Sequence, residues 1–196
     1  KNIQAIAAGS RHSLALKADG TVLSWGSAAG IDKGPVLGPA ARRNVVAIAA
    51  SGMHNLALTV GGRVVAWGLN TSGQCTVPEE ALQNVVAIAA GTSHSVALKA
   101  DGSVLVWGYA DSCGTVPEEA MHGVVGIAAG SNFTLALKAD GTVVAWGGDN
   151  SQGQRDCPQP TLSLVSSANP CMEWDTPTLT ATVTGASGPP CTLAIQ

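Results

Sequence analysis

Short apolar runs alternate with turn-forming clusters along this chain, and the alternation repeats. Asn2 to Gly26 reads NIQAIAAGSRHSLALKADGTVLSWG, and Asn44 to Gly68 reads NVVAIAASGMHNLALTVGGRVVAWG. Asn84 to Gly108 reads NVVAIAAGTSHSVALKADGSVLVWG, and Gly123 to Gly147 reads GVVGIAAGSNFTLALKADGTVVAWG. Each copy carries three strand signals. The first, VVAIAA, is a short β-rich run. The second, SLALK, sets Leu14 and Leu16 two residues apart and so on one face of a strand. The third is TVVAW. Between the second and third stand Asp19-Gly20, Asp101-Gly102 and Asp140-Gly141. Asp-Gly between two β runs predicts a hairpin, because glycine accepts the positive φ of a tight turn. Gly61-Gly62 meets the same need in the second copy.

The tryptophans that close the copies, Trp25, Trp67, Trp107 and Trp146, lie 42, 40 and 39 residues apart. A β-rich period near forty predicts a propeller or a related array. Alanines such as Ala47, Ala49 and Ala50 suit the place where blades converge on an axis. A tryptophan at one recurring position predicts packing between neighbouring blades. Scaffolds of this kind bind more often than they catalyse.

The connectors vary more than the strands. Leu69 to Gln83 and Tyr109 to His122 both contain T-V-P-E-E-A, whereas Ser27 to Arg43 is divergent and rich in Gly and Pro. The pairs Glu79-Glu80 and Glu118-Glu119 sit beside prolines in these connectors and read as solvated caps, not as paired acid catalysts.

With these residues in view, the pattern G-x-x-H-S-L-A-L-K-x-D-G-x-V-x-x-W-G-x-N-x-x-G-Q resembles the regulator of chromosome condensation repeat. The best local match is Gly91 to Gly108, with Asn70, Gly73 and Gln74 completing the pattern from the previous copy. The short period and the T-V-P-x-E-A connector resemble bacterial members, and similar short repeats build a secreted β-lactamase inhibitor. The resemblance covers residues 1 to about 158 and implies an all-β fold of β-propeller blades, usually seven. Blades are expected at about 2–43, 44–83, 84–122 and 123–158. Four blades of seven would leave an open arc with exposed sheet edges, which recruit other chains. A closed four-bladed ring is the alternative. From Thr161 the sequence changes character, and TLTATVTG (178–185) alternates with period two. This is similar to the opening of bacterial immunoglobulin-like domains and implies a partial Ig-like β-sandwich over 161–196. A sandwich of that type needs about 100 residues, so the chain reads as part of a longer polypeptide or as one completed by a partner.

Composition narrows the function. Hydrophobic residues make up 45% of the chain, aromatics only 4%, and the net charge is −3. This gives no basic footprint for nucleic acid, and Arg42-Arg43 reads as a solvated loop. No apolar run approaches the eighteen or so residues of a spanning helix, so direct membrane insertion is not expected. Five cysteines are present: Cys75, Cys113 and Cys157 in connectors, Cys171 and Cys191 in the tail. No C-x-x-C pair points to zinc. A Cys171–Cys191 bridge and unpaired thiols both fit the pattern.

His12, His54 and His94 share one repeat position, which Phe133 takes in the fourth copy. A metal ring needs converging imidazoles, and equivalent propeller positions are spread around a circle. Structural histidines bonded to backbone are expected, with no cofactor. No nucleophile elbow, Walker loop or H-E-x-x-H is present. Asp149 to Gly153 lacks the later carboxylates of a calcium loop.

Residues that differ between copies are free to make specific contacts. They fall in two loops. Arg11, Met53, Ser93 and Asn132 follow the A-A-G stretch; Leu69, Asn70, Tyr109, Asp111, Asp149 and Asn150 follow W-G. If both loops share a face, they form one recognition surface, with Tyr109 as its strongest anchor. The sequence therefore reads as a non-enzymatic, secreted or cell-surface binding protein, whose partner is another protein or further copies of itself. An enzyme inhibitor of the β-lactamase-binding kind and a guanine-nucleotide exchange or chromatin-type factor are the rival readings.

Overall fold

A computed structural model of the chain describes residues 2–26 and 44–157, together with the strands at 161–166, 179–184 and 191–195. Two compact units divide it, Lys1–Asp156 and Cys157–Gln196.

The first unit consists of four three-stranded antiparallel sheets, one per sequence copy. They are β1–β3 (Ile3–Ala8, His12–Lys17, Val22–Gly26), β4–β6 (Val45–Ser51, His54–Thr59, Val64–Gly68), β7–β9 (Val85–Ala90, His94–Lys99, Val104–Gly108) and β10–β12 (Val124–Ala129, Thr134–Lys138, Val143–Trp146). Strands pair in chain order within every sheet, so each is a meander. These are propeller blades, packed one on the next.

Local chemistry sets the turns. Gly20, Gly62, Gly102 and Gly141 all have φ between 72° and 86°. The aspartate before three of them caps the turn: Thr21 N, Ser103 N and Thr142 N donate to Asp19, Asp101 and Asp140 at 2.9–3.0 Å. The Thr21 bond is the first cause holding the exposed Asp19 carboxyl below its ordinary value, whereas for Asp101 and Asp140 the hydroxyls of Ser103 and Thr142, each donating at 2.6 Å, come first and the amides second. In the second, third and fourth blades a bulge near the start of the first strand follows a second left-handed position. Asn44 (φ 64°) and Asn84 (φ 58°) occupy it, and Gly123 (φ 71°) replaces them in the fourth blade. Asparagine and glycine are the residues that tolerate this conformation.

The core lies between blades. Leu14 and Leu16 of the first blade pack with Val45, Ala57 and Trp67 of the second. Leu56, Leu58 and Val64 pack with Val85, Ala97 and Trp107. Val96, Leu98 and Val104 pack with Val124, Ala136 and Trp146. Each blade thus offers the leucine face of its middle strand to the blade that follows, and its tryptophan to the blade that precedes. Val45, Val85 and Val124 also donate their amides across the junction to the carbonyls of Gly20, Gly62 and Gly102, at 3.3, 3.0 and 3.1 Å.

The expected packing of tryptophan between blades holds for Trp67, Trp107 and Trp146, which are at most 9% exposed. It fails for Trp25, which is 54% exposed. The physical reason is position: a tryptophan is covered by the preceding blade, and the described residues hold none before the first.

The connectors behave as their prolines require. Pro78 and Pro117 lead into short 3-10 turns, Glu79–Leu82 and Glu118–Ala120, which bury Ala81 and Ala120 and leave the glutamates exposed. Lys99 Nζ and Lys138 Nζ donate to the Glu80 and Glu119 carbonyls at 2.7 and 2.8 Å. The lysine of the SLALK segment therefore ties down the connector that leads into its own blade.

The second unit contains a three-stranded antiparallel meander, β13 (Thr161–Ser166), β14 (Leu179–Thr184) and β15 (Cys191–Ile195). The candidate Cys171–Cys191 bridge lies outside the described side chains.

Candidate recognition surface

In the second and third repeats the two variable loops are brought together by backbone hydrogen bonds. Leu69 N donates to the Met53 carbonyl and Tyr109 N to the Ser93 carbonyl, each at 2.9 Å. Gly148 N donates to the Asp111 carbonyl at 2.7 Å, which joins the fourth blade's loop to the third connector. Adjacent blades are linked at the same level. Ser10 N donates to the Gly52 carbonyl at 3.0 Å, and Thr92 N to the Ser131 carbonyl at 2.9 Å. Gly52 is needed at its contact, since its φ is +46° and a Cβ there would lie 2.4 Å from the Thr92 carbonyl oxygen. Arg11, Met53, Ser93, Asn132, Leu69 and Tyr109 therefore belong to one continuous loop face.

Between the third and fourth blades this face sinks into an open depression of about 490 Å³ lined by Tyr109, Asp111, Ser112, Asn132, Gly148 and Asp149. A short helix, α1 (Ala110–Cys113), shapes one wall. It carries Asp111 outward and buries Ser112, whose hydroxyl donates to Asn132 Oδ1 at 3.2 Å. Tyr109 is 48% exposed. The neighbouring Asp111 carboxylate holds the Tyr109 phenol above its ordinary value of 10.0. Asp149 accepts from Ser151 N at 2.7 Å, the main reason its carboxyl stays below the ordinary range.

Two of the residues singled out in the sequence are occupied within their own loops. Asn70 accepts from Cys75 N at 2.7 Å and donates to Thr76 Oγ1 at 3.1 Å. Asn150 accepts from Arg155 N at 2.7 Å and donates to Asp156 Oδ1 at 2.6 Å. Both close an equivalent turn, so their amides are spent on loop shape. Leu69 and Met53 are half-buried, while Arg11 is exposed.

Beneath the loop face runs a polar seam that sequence reasoning located without finding its partners. His12 Nε2 donates to Asn55 Oδ1 at 2.6 Å, across to the second blade. His54 Nε2 lies 3.0 Å from Ser95 Oγ, and His94 Nε2 lies 3.2 Å from Thr134 Oγ1. Every bond joins a histidine to the residue after the same position in the next copy. Ser95 donates its single proton to the Gln74 carbonyl at 2.8 Å, so it accepts from His54 Nε2–H. The same carbonyl accepts from Trp107 Nε1 at 3.0 Å. The expectation of a histidine bonded to backbone is thereby corrected: the imidazoles bond side chains, because those side chains reach the buried junction that the backbone, paired in the sheets, does not. A legible signal existed, since Asn55, Ser95 and Thr134 are all short and polar inside apolar strands.

Glycine makes room for the imidazole. A Cβ at Gly91 would lie 2.1 Å from His94 Cε1, and one at Gly9 the same distance from His12 Cε1. Phe133 fills this slot over Gly130 in the fourth blade. Burial drives the His54 imidazole from 6.5 down to about 4, helped by its neighbours His94 and His12. His94 is also lowered by burial. The Nδ1 atoms of both are buried with no partner among the described residues, so a second proton there would find no acceptor among them. In the shorter third connector α1 takes the stretch that Gln74 occupies in the second, and Trp146 Nε1 is buried with no partner among the described residues.

Cys75 and Cys113 are not activated thiols. Burial raises the Cys75 and Cys113 thiols to about 11, and Cys75 donates to the Leu69 carbonyl at 3.3 Å. Among the described residues no three His, Cys, Asp or Glu side chains gather to hold a metal ion. No helix among them is long and apolar enough to cross a membrane.

Stacked meander blades with a shared face of variable loops define a repeat-built β-propeller protein. The chain belongs to the regulator of chromosome condensation (RCC1) repeat family, whose model matches residues 3–28, 45–74, 85–115 and 124–154. No curated protein sequence matches it. Among solved structures it is similar to Prp20p of Saccharomyces cerevisiae, at 21% identity and a TM-score of 0.62, covering 97% of this chain and 56% of that one. That protein was described with its binding properties to Gsp1p and histones. The CRINKLY ectodomain of the Arabidopsis thaliana receptor kinase ACR4 is similar at 24% identity and a TM-score of 0.60, covering 74% of this chain and 50% of that one. Human WBSCR16 is similar at 24% identity and a TM-score of 0.59, covering 74% and 47%. The chain spans about half the length of the solved structures it resembles.

Proposed function

We propose that this chain is a non-enzymatic protein-binding scaffold that engages its partner through the variable loop face. The observation that carries this reading is the convergence of Tyr109, Asp111, Asn132 and Asp149 in one depression on rigidly stacked blades. An exposed tyrosine beside carboxylates is the composition of an interface anchor, because it combines contact area with hydrogen bonding at small entropic cost. The rigid support matters equally, since pre-organised loops lose less entropy on binding. Placement outside the cell or on its surface belongs to the same proposal and rests on the resemblance of the tail to immunoglobulin-like modules.

The test is affinity capture with the whole chain from secreted and surface-associated proteins of the source organism, repeated with a Tyr109→Ala/Asp149→Ala variant. A partner held by the wild type and lost by the loop variant supports the reading. A partner retained equally by both, or turnover of a substrate by the purified chain, overturns it.

The similarity to Prp20p favours one second reading, a guanine-nucleotide exchange factor. Acceleration of nucleotide release from a small GTPase by the purified chain would establish it. Unchanged release would remove it.

A further inference from the structure

The depression between the third and fourth blades departs from the repeat. Its walls are the third connector, with Tyr109, Asp111 and Ser112, and the fourth blade, with Asn132, Gly148 and Asp149. These elements lie side by side within the stack, joined by the Gly148 amide on the Asp111 carbonyl and by the Ser112 hydroxyl on Asn132. At the equivalent junction between the second and third blades, Leu69, Thr71 and Ser72 take the connector positions, and Ser93, Tyr109 and Ala110 take those of the following blade. Blades stack there without either carboxylate, so the fold itself does not require Asp111 or Asp149. The charge pair belongs to one junction and not to the repeat.

The chemistry of the depression narrows its occupant. Both carboxylates are exposed, and no lysine, arginine or histidine is among the described residues that line the space. Arg155 acts on Asp149 from outside the lining, as the weakest influence on that carboxyl. Tyr109, 48% exposed, adds an aromatic side chain to the wall. The volume of about 490 Å³ lies within the usual range of ligand sites. Among the described residues no three His, Cys, Asp or Glu side chains gather, so a chelated metal ion is not the occupant favoured by the geometry.

We propose that this depression receives an arginine side chain from a basic segment of the partner protein. The inference rests on the loop-face reading of function and specifies its chemistry. A guanidinium is flat and permanently charged, stacks on aromatic rings and bonds carboxylates through a planar fork. Tyr109 supplies the ring, and Asp111 and Asp149 supply the acceptors. A lysine brings the charge without the flat, two-pronged geometry. The net charge of −3 favours encounter with a basic segment.

Backbone amide spectra of the whole, isotopically labelled chain, titrated with N-acetyl-arginine N-methylamide, test it. Saturable shifts centred on Tyr109, Asp111, Asn132 and Asp149 are expected. The citrulline analogue keeps the shape and lacks the charge, and should bind about tenfold more weakly or worse, as the loss of a charge-assisted contact implies. The lysine analogue should also bind more weakly than arginine. Asp111→Asn/Asp149→Asn should weaken arginine binding by a similar factor. Both positions are exposed and asparagine keeps an oxygen for Ser151 N, so the variant folds, as unchanged amide positions elsewhere would verify. Absence of saturable shifts, equal binding of citrulline or lysine, or undiminished binding by the variant overturns the proposal. The same shifts with calcium chloride at lower concentration than with arginine overturn it in favour of a metal site. Affinity capture separates this inference from the reading beneath it: a partner lost by Tyr109→Ala/Asp149→Ala but held by Asp111→Asn/Asp149→Asn keeps the loop face and removes the arginine.

Discussion

His54 Nε2 lies 3.0 Å from Ser95 Oγ across the junction between the second and third blades, and both side chains are fully buried. Ser95 passes the bond on to the Gln74 carbonyl, which also holds Trp107 Nε1. A single imidazole thus ties two blades and a connector into one network. Replacing His54 by alanine removes the donor and leaves a cavity. We expect a loss of roughly 2–4 kcal/mol, read as a lower urea midpoint. His54→Phe should cost less, because Phe133 occupies the equivalent slot in the fourth blade. Equal losses for the two substitutions would show that the hydrogen bond, and not the filled volume, dominates.

The same histidine makes stability depend on pH. Its folded pKa is about 4, against 6.5 for the ordinary side chain. The unfolded chain therefore binds more protons between those values, and stability rises with pH across that window. The contribution is fully present above about pH 6.5 and is lost as the pH falls toward 4. It amounts to roughly 3 kcal/mol at about 1.4 kcal/mol per unit. Urea midpoints at pH 7 and pH 4.5 should differ accordingly, and His54→Phe should flatten the difference. An unchanged pH slope in the variant would contradict this assignment.

Trp67 and Trp25 are sequence equivalents in different surroundings, 4% and 54% exposed. Trp67→Ala should cost about 3–5 kcal/mol, the range for truncating a buried aromatic. Trp25→Ala should cost under about 1 kcal/mol. Thermal unfolding of the two variants at low protein concentration makes the comparison.

Cys75 and Cys113 are half-buried thiols held near 11 by burial. Because the thiolate is the reacting species, both should alkylate far more slowly at pH 8 in the native chain than in the denatured one. Mass spectrometry after timed exposure to iodoacetamide reads this by site. Rapid native labelling of Cys75 would mean that its connector opens.

Much of the fold was legible because each blade is built from local signals. The Asp-Gly turns and the period-two leucines of SLALK lie within a few residues of the partners they need, so Gly20 and Leu14 could be read directly. Asn44 and Asn84 could have been read as well, as residues suited to a left-handed turn, but they look like ordinary connector residues without the backbone. The loop residues were locatable by their variability. That Tyr109 and Asn132 would meet, while Asn70 and Asn150 would turn inward to close their own loops, depended on contacts that no spacing encodes.

The amino-acid order alone determined the strands, the hairpins and the fourfold repetition, since a side chain's alternation and a glycine's freedom act within one strand or one turn. Tertiary structure alone decided which face each blade shows to its neighbour. It gave His12, His54 and His94 their partners about forty residues away, and it left Trp25 in solvent while burying its three counterparts. Identical segments carry identical local instructions. Only their order in the stack distinguishes an end from a middle, because burial is a property of what lies alongside.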